Sequence, residues 1–197
     1  MLNIKISAEN NNDLKFFIFN FFFEYILIFA AKTRDIKSKI MIVRYIGSPN
    51  YDQKTNRKVK YLIIHYTGMK NQQVAVKRLQ SKVAKVSCHY LISKTGSIYQ
   101  MVKDQNIAWH AGKSKWGKDK NLNSNSLGIE LVNNGKEKFP KKQINSLMKL
   151  IIKLQKKHKI KINNVLGHED IAPGRKFDPG PLFPWGLLNK NKLSKKC

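Results

Sequence analysis

From residue 59 onward, short apolar runs alternate with longer segments whose apolar residues recur every three or four positions. Tyr61-Leu62-Ile63-Ile64 is a continuous apolar run bounded by polar residues, the pattern of a strand buried on both faces. Gln73 to Ala84 predicts a helix with Val76, Leu79 and Val83 on one side. Val86 to Ile92 and Ser97 to Val102 predict a hairpin that turns at Lys94-Thr95-Gly96, where glycine supplies a positive φ. Leu127 to Val132 predicts another strand, closed by Asn133-Asn134-Gly135. Ile144, Leu147, Ile151, Leu154 and His158 are spaced by threes and fours, which predicts an amphipathic helix with lysines on its outer face. Asn164 to Leu166 would be the last strand and would deliver His168 to the sheet edge. The expectation is an α/β domain, a central mixed β-sheet flanked by helices, with active residues at strand ends and in the loops that follow.

The start of the chain follows a different pattern. Phe16 to Ala31 is an apolar run broken by Asn20 and Glu24, short of the ~20 residues a transmembrane helix needs. Lys5 and Lys15 ahead of it, with Ala30 and Ala31 at its end, fit a secretory signal, which implies a periplasmic or secreted protein. The alternatives are a retained membrane anchor, or a lead without function ahead of a true start at Met41, which would leave the protein cytoplasmic. The domain expectation is therefore a lead over 1–47 with the apolar segment 16–31, one domain over 48–188, and a basic tail over 189–197.

Composition changes this picture little. A chain of 197 residues with 42% hydrophobic content can bury a core of ordinary size. The formal net charge of +26 invites nucleic acid as a partner. The distribution argues against it, because lysine is spread from end to end and arginine occurs only at positions 34, 44, 57, 78 and 175. What remains is a general attraction for anionic partners. Two cysteines, Cys88 and Cys197, are too few for a disulfide framework or a thiolate zinc site.

The chemistry concentrates in Gly167 to Trp185, Gly-His-Glu-Asp-Ile-Ala-Pro-Gly-Arg-Lys-Phe-Asp-Pro-Gly-Pro-Leu-Phe-Pro-Trp. Pro173 with Gly174 predicts a tight reversal that brings Asp178 back toward His168. His65, at the end of the Ile-Ile-His-Tyr-Thr strand, would complete a set of two neutral imidazoles and one carboxylate. Such a set suits Zn²⁺ and leaves a fourth tetrahedral position for water. Glu130 in Gly-Ile-Glu-Leu-Val is costly inside so apolar a strand unless it is paired or used as a proton carrier. Lys176, two residues before Asp178, would project to the same side and steady an oxyanion. His110 and Trp109, with Arg175, are assigned as substrate contacts. His89 is expected mid-strand in the core or behind the ligands, His158 at a helix end without a chemical role, and Glu169 and Asp170 as turn or capping acids.

Taken together these residues resemble the zinc-dependent N-acetylmuramoyl-L-alanine amidases, the family of the AmpD and AmiD enzymes, related to peptidoglycan recognition proteins and a bacteriophage lysozyme. The similarity runs from about Ser48 to Leu188. It rests on Ser-Pro-Asn-Tyr-Asp, Ile-Ile-His-Tyr-Thr, Val-Ser-Cys-His-Tyr-Leu-Ile, Ser-Leu-Gly-Ile-Glu-Leu-Val-Asn and the Gly-His-Glu-Asp segment, in that order. The resemblance implies the amidase type 2 fold, one Zn²⁺ held by His65, His168 and Asp178, Glu130 as acid and base, and Lys176 assisting the oxyanion. It also implies cleavage of the amide between N-acetylmuramic acid and L-alanine in peptidoglycan or muropeptide fragments. The chain is expected to act as a monomer, without nucleic acid, and to meet a membrane only through the N-terminal segment. The rival within the same fold is a module that binds peptidoglycan without cutting it.

Overall fold

The computed structural model describes residues 41–54 and 56–196. The apolar segment 16–31 and its expected signal or anchor role lie outside the described residues. Among the described residues ten strands follow one another: β1 (Val43–Tyr45), β2 (Tyr51–Asp52), β3 (Tyr61–Tyr66), β4 (Tyr90–Ile92), β5 (Ile98–Gln100), β6 (Ile107–Ala108), β7 (Lys115–Trp116), β8 (Asp119–Lys120), β9 (Ser126–Leu131) and β10 (Val165–Gly167). The described residues also form four α-helices, α1 (Gln72–Gln80), α2 (Lys141–His158), α3 (His168–Ile171) and α4 (Trp185–Lys190). Six strands make a mixed sheet in the order β1-β5-β4-β9-β3-β10; β4 and β5 pair antiparallel and every other neighbour is parallel. This is the predicted α/β architecture. β2 pairs with β6, and β7 with β8, in two small antiparallel ribbons.

The centre of the sheet is where the continuous apolar runs lie. Leu62, Ile63 and Ile64 on β3 and Leu127, Ile129 and Leu131 on β9 are fully buried, as parallel strands covered on both faces must be. α2 contributes Ile144, Leu147, Leu150, Ile151 and Leu154 as one buried stripe, so its 3.6-residue period and the strands' composition select the same core. Gln143 on that stripe is buried as well, and its Nε2 donates to Ile92 O at the end of β4 and to Val132 O just past β9. Lys156, Lys157 and His158 close the helix where cations favour its dipole. The β4–β5 hairpin turns as predicted, with Gly96 at φ +89.

Four expectations are corrected. α1 stops at Gln80, so Val83 is 91% exposed instead of facing the core. Asn50 Nδ2 donates to Ser81 O and Val86 O at 2.8 Å each, which engages the carbonyls after the helix in a tertiary contact. His89 precedes β4 instead of lying mid-strand. The folded unit begins before Ser48, because β1 pairs with β5. Residues 189–196 are no loose tail: Leu193 and Ser194 are buried, and Lys196 Nζ bonds Asp170 and Glu169 and stacks 4.4 Å over the Trp185 ring. Lysine there has local acids and an aromatic face to meet, a pairing that sequence spacing does not reveal. Among the described residues no helix is long and apolar enough to cross a membrane.

Candidate metal centre and active site

Three strands end at one place. His65 is the fifth residue of β3, Glu130 the fifth of β9, and His168 opens α3 directly after β10. Asp178 comes to them by a local reversal. Gly174 adopts φ +73, Arg175 and Lys176 both donate their amides to Ala172 O, and Glu169 N donates to Asp178 O at 2.9 Å. That last bond ties the returning segment to the residue beside His168. Gly167 permits the approach, because a Cβ there would lie 2.8 Å from Pro179 Cδ. The predicted turn at Pro173-Gly174 therefore does what its residues suggested.

His65, His168 and Asp178 are buried and present one ligand atom each to a common point. Nδ1 of His65 lies 3.0 Å from Nδ1 of His168 and 2.8 Å from Asp178 Oδ2, and the third edge is 3.1 Å. Arms of about 2.0–2.1 Å to a tetrahedral ion space ligand atoms roughly 3.3 Å apart, so the triangle is close to that of a metal site. The outer nitrogens settle which form each ring takes. His168 Nε2 faces Ala111 O at 3.1 Å, and a carbonyl only accepts, so Nε2 carries the proton and Nδ1 a bare lone pair. Ser126 Oγ donates to Leu122 O and therefore accepts from His110 Nε2, leaving His110 Nδ1 to accept from His65 Nε2 at 3.1 Å. His65 Nδ1 is thereby bare too. Two lone pairs and a carboxylate oxygen facing one another repel unless a cation lies among them, and the donor set fits a divalent ion.

Charges agree with this arrangement. Burial, partly offset by the Asp178 contact, lowers His65 to about 4, so its ring is neutral at pH 7. Burial works against the Asp178 charge, yet contacts with His168 and His65 hold its carboxyl below the ordinary range. Glu130 is the opposite case: burial first, and the neighbouring Asp178 charge second, raise it to about 8 against the pull of Lys176. Its Oε2 is buried without a hydrogen-bond partner among the described residues. A carboxyl so placed holds a proton close to neutral pH and has an atom free to pass it on.

A cavity of about 350 Å³ opens on this group, with His65, Glu130, His168, Lys176 and Asp178 in its wall. The structure thus brings together all five residues named for chemistry. The three named for substrate contact fare differently. Trp109 lines the cavity and is steadied by Nε1 donating to Asp52. His110 lines the cavity as well, with both ring nitrogens engaged, one with His65 and one with Ser126. Its ring centroid lies 5.2 Å from that of His65. Arg175 reaches the wall while Nη2 donates to Ala111 O and Lys113 O, which makes it chiefly a brace for that loop. Sequence reasoning missed Asn123, Ser126 and Phe177. Phe177, 71% exposed on the cavity rim between Lys176 and Asp178, carried a signal, since an apolar ring in so polar a turn has little to bury against.

A parallel-centred α/β sheet that gathers two imidazoles, a carboxylate and a buried glutamate with one unbonded oxygen at its strand ends forms a group that could hold a metal ion. The chain belongs to the N-acetylmuramoyl-L-alanine amidase family, whose sequence profile matches residues 55–181, well over half of it. It is 40% identical over 147 residues to the N-acetylmuramoyl-L-alanine amidase AmiD of Escherichia coli, covering 66% of this chain and 52% of AmiD. The chain thus spans about half the length of that relative. It is 32% identical over 174 residues to the 1,6-anhydro-N-acetylmuramyl-L-alanine amidase AmpD of Haemophilus influenzae, covering 78% of this chain and 95% of AmpD. The structure of E. coli AmiD with the substrate anhydro-N-acetylmuramic acid-L-Ala-D-gamma-Glu-L-Lys superposes with a TM-score of 0.66 at 34% identity, covering 74% of this chain and 66% of that one.

Proposed function

We propose that the chain hydrolyses the amide between N-acetylmuramic acid and L-alanine in peptidoglycan or its fragments, using one Zn²⁺. The observation that carries this reading is the triangle of unprotonated ligand atoms beside a buried glutamate with a free oxygen, all in one cavity wall. His65, His168 and Asp178 would hold the ion, which when bound supplies a Lewis acid and lowers the pKa of water toward 7. Two neutral imidazoles and one carboxylate leave that centre with a net charge of about +1, so its Lewis acidity is preserved.

Glu130 takes the proton of the attacking water and returns it to the departing amine nitrogen. A carboxyl raised to about 8 in the metal-free chain is matched to a task that needs both gain and loss of a proton near neutrality. Lys176, in the same wall, offers a fixed positive charge where the carbonyl oxygen becomes an anion. Trp109 and Phe177 offer apolar faces to the sugar and peptide carbons. The muramyl amide as substrate is supported by the relatives: AmiD is solved with such a compound, and AmpD is named for its anhydro form.

Incubation with a muramyl tripeptide, followed by mass spectrometry of the products, tests the reading. Release of the free tripeptide is expected, lost with a chelator and regained with Zn²⁺. An intact substrate in the presence of metal-replete protein removes the catalytic claim and leaves a muropeptide-binding module. For the compartment, the Phe16 to Ala31 run favours export or anchoring, and mass spectrometry of the native N-terminus separates a cleaved signal, a retained anchor and a start at Met41.

A further inference from the structure

One ligand histidine lies on β3 and the other opens α3, yet the groups that orient them are consecutive residues. His110 Nδ1 accepts from His65 Nε2, and Ala111 O accepts from His168 Nε2, at 3.1 Å in each case. One dipeptide therefore sets both rings with Nδ1 turned inward. That dipeptide belongs to no regular strand or helix, so something else must hold it still.

Asn123 does so from a short 3-10 turn over Leu122–Asn125. Its Oδ1 accepts the amides of both His110, at 3.1 Å, and Ala111, at 2.7 Å. From the other side Arg175 Nη2 holds the Ala111 and Lys113 carbonyls. The His110 ring also lies flush on β9, where a Cβ at Gly128 would stand 2.4 Å from its Cγ, and Ser126 two residues earlier accepts from its Nε2. The ring is thus fixed at both nitrogens and on one face.

We infer that Asn123, which approaches no ligand atom itself, is a positioning residue of the metal centre: it fixes the His110-Ala111 bracket, and the bracket fixes both ligand imidazoles as Nδ1 donors. Ser126 serves the same bracket by setting the His110 tautomer. The inference rests on the metal-binding reading above. Partners that orient ligand histidines typically change metal affinity by about 10- to 100-fold when removed. Asn123→Ala deletes the acceptor shared by the two amides, whereas Asn123→Asp keeps an oxygen in its place.

The test is Zn²⁺ affinity by chelator competition, with the visible absorption of the Co²⁺-substituted protein as a report on ligand geometry. Asn123→Ala is expected to bind Zn²⁺ about 10- to 100-fold more weakly, with an altered Co²⁺ spectrum, and Asn123→Asp to recover both. Wild-type affinity and spectrum in Asn123→Ala, or an Asn123→Asp variant as weak as Asn123→Ala, would overturn the inference. Should Asn123→Ala not fold, Ser126→Ala makes the same comparison through the other end of His110, with weakened Zn²⁺ binding supporting the inference and unchanged binding overturning it. Wild-type protein that binds no Zn²⁺ at all refutes the metal reading itself, a separate result from tight binding that the variants leave untouched.

Discussion

His65 and Glu130 are register partners on the adjacent parallel strands β3 and β9. Neighbours in register project to the same face of a sheet, so the pairing of two apolar strands is what sets a ligand ring beside a buried carboxyl. Neither residue could be moved by one position along its strand without turning its side chain to the opposite face.

That relationship gives the first prediction. Glu130→Gln keeps shape and removes the proton carrier, so turnover should fall by about 10²- to 10⁴-fold. Bound zinc, measured by elemental analysis, should stay at the wild-type level. Loss of the metal in this variant would make Glu130 a ligand instead.

The metal should also report on stability. An ion that binds only the folded chain adds about 2.7 kcal/mol when present at 100 times its Kd. Thermal melts over a zinc series should therefore rise for the wild type. Asp178→Ala, which removes one corner of the triangle, should abolish the rise; a variant that still responds in full would show that the ion binds elsewhere.

Acid should destabilise the chelated protein in a defined window. Burial, aided by the nearby Arg57 charge, lowers His89 from its ordinary 6.5 to about 3, and its Nδ1 accepts from Gly128 N. In the unfolded chain that ring takes up a proton below 6.5, while in the folded chain it stays neutral to about 3. Stability from this group is complete above pH 6.5 and is lost as the pH falls from 6.5 toward 3. Urea unfolding across that range should show the decline, made shallower in His89→Gln. An identical slope in that variant would place the proton uptake on other residues.

The C-terminal segment gives a fourth test. Leu193 is buried, its amide bonds Leu188 O and its carbonyl accepts from Gln155 Nε2. Leu193→Ala should cost about 2–5 kcal/mol, as for other buried leucines, read from chemical denaturation. A change close to zero would return these residues to the status of a solvated tail.

How far the sequence could be read depended on how local each cause was. Tyr61-Leu62-Ile63-Ile64 announced a buried strand because composition alone marks one, and the Ile144 to Leu154 spacing announced the helix that covers it. The Pro173-Gly174 reversal was legible because its turn is made by neighbouring residues. Val83 was misplaced because Asn50, more than thirty positions earlier, engages the carbonyls past α1. The bonds that His110 makes were hidden for a like reason, since its partners His65 and Ser126 lie on two strands distant in the chain.

By itself, then, the order of residues determined the strands β3, β4, β5, β9 and β10, the amphipathic helix, and the candidates His65, Glu130, His168, Lys176 and Asp178, because hydrophobic period and turn chemistry act over a few positions. Only the tertiary structure decided which nitrogen each imidazole presents, that His110 stands behind the ligands, that Asn123 holds the loop between them, and that the final residues pack. Those outcomes depend on hydrogen bonds between segments distant along the chain, whose meeting is set by sheet order and register.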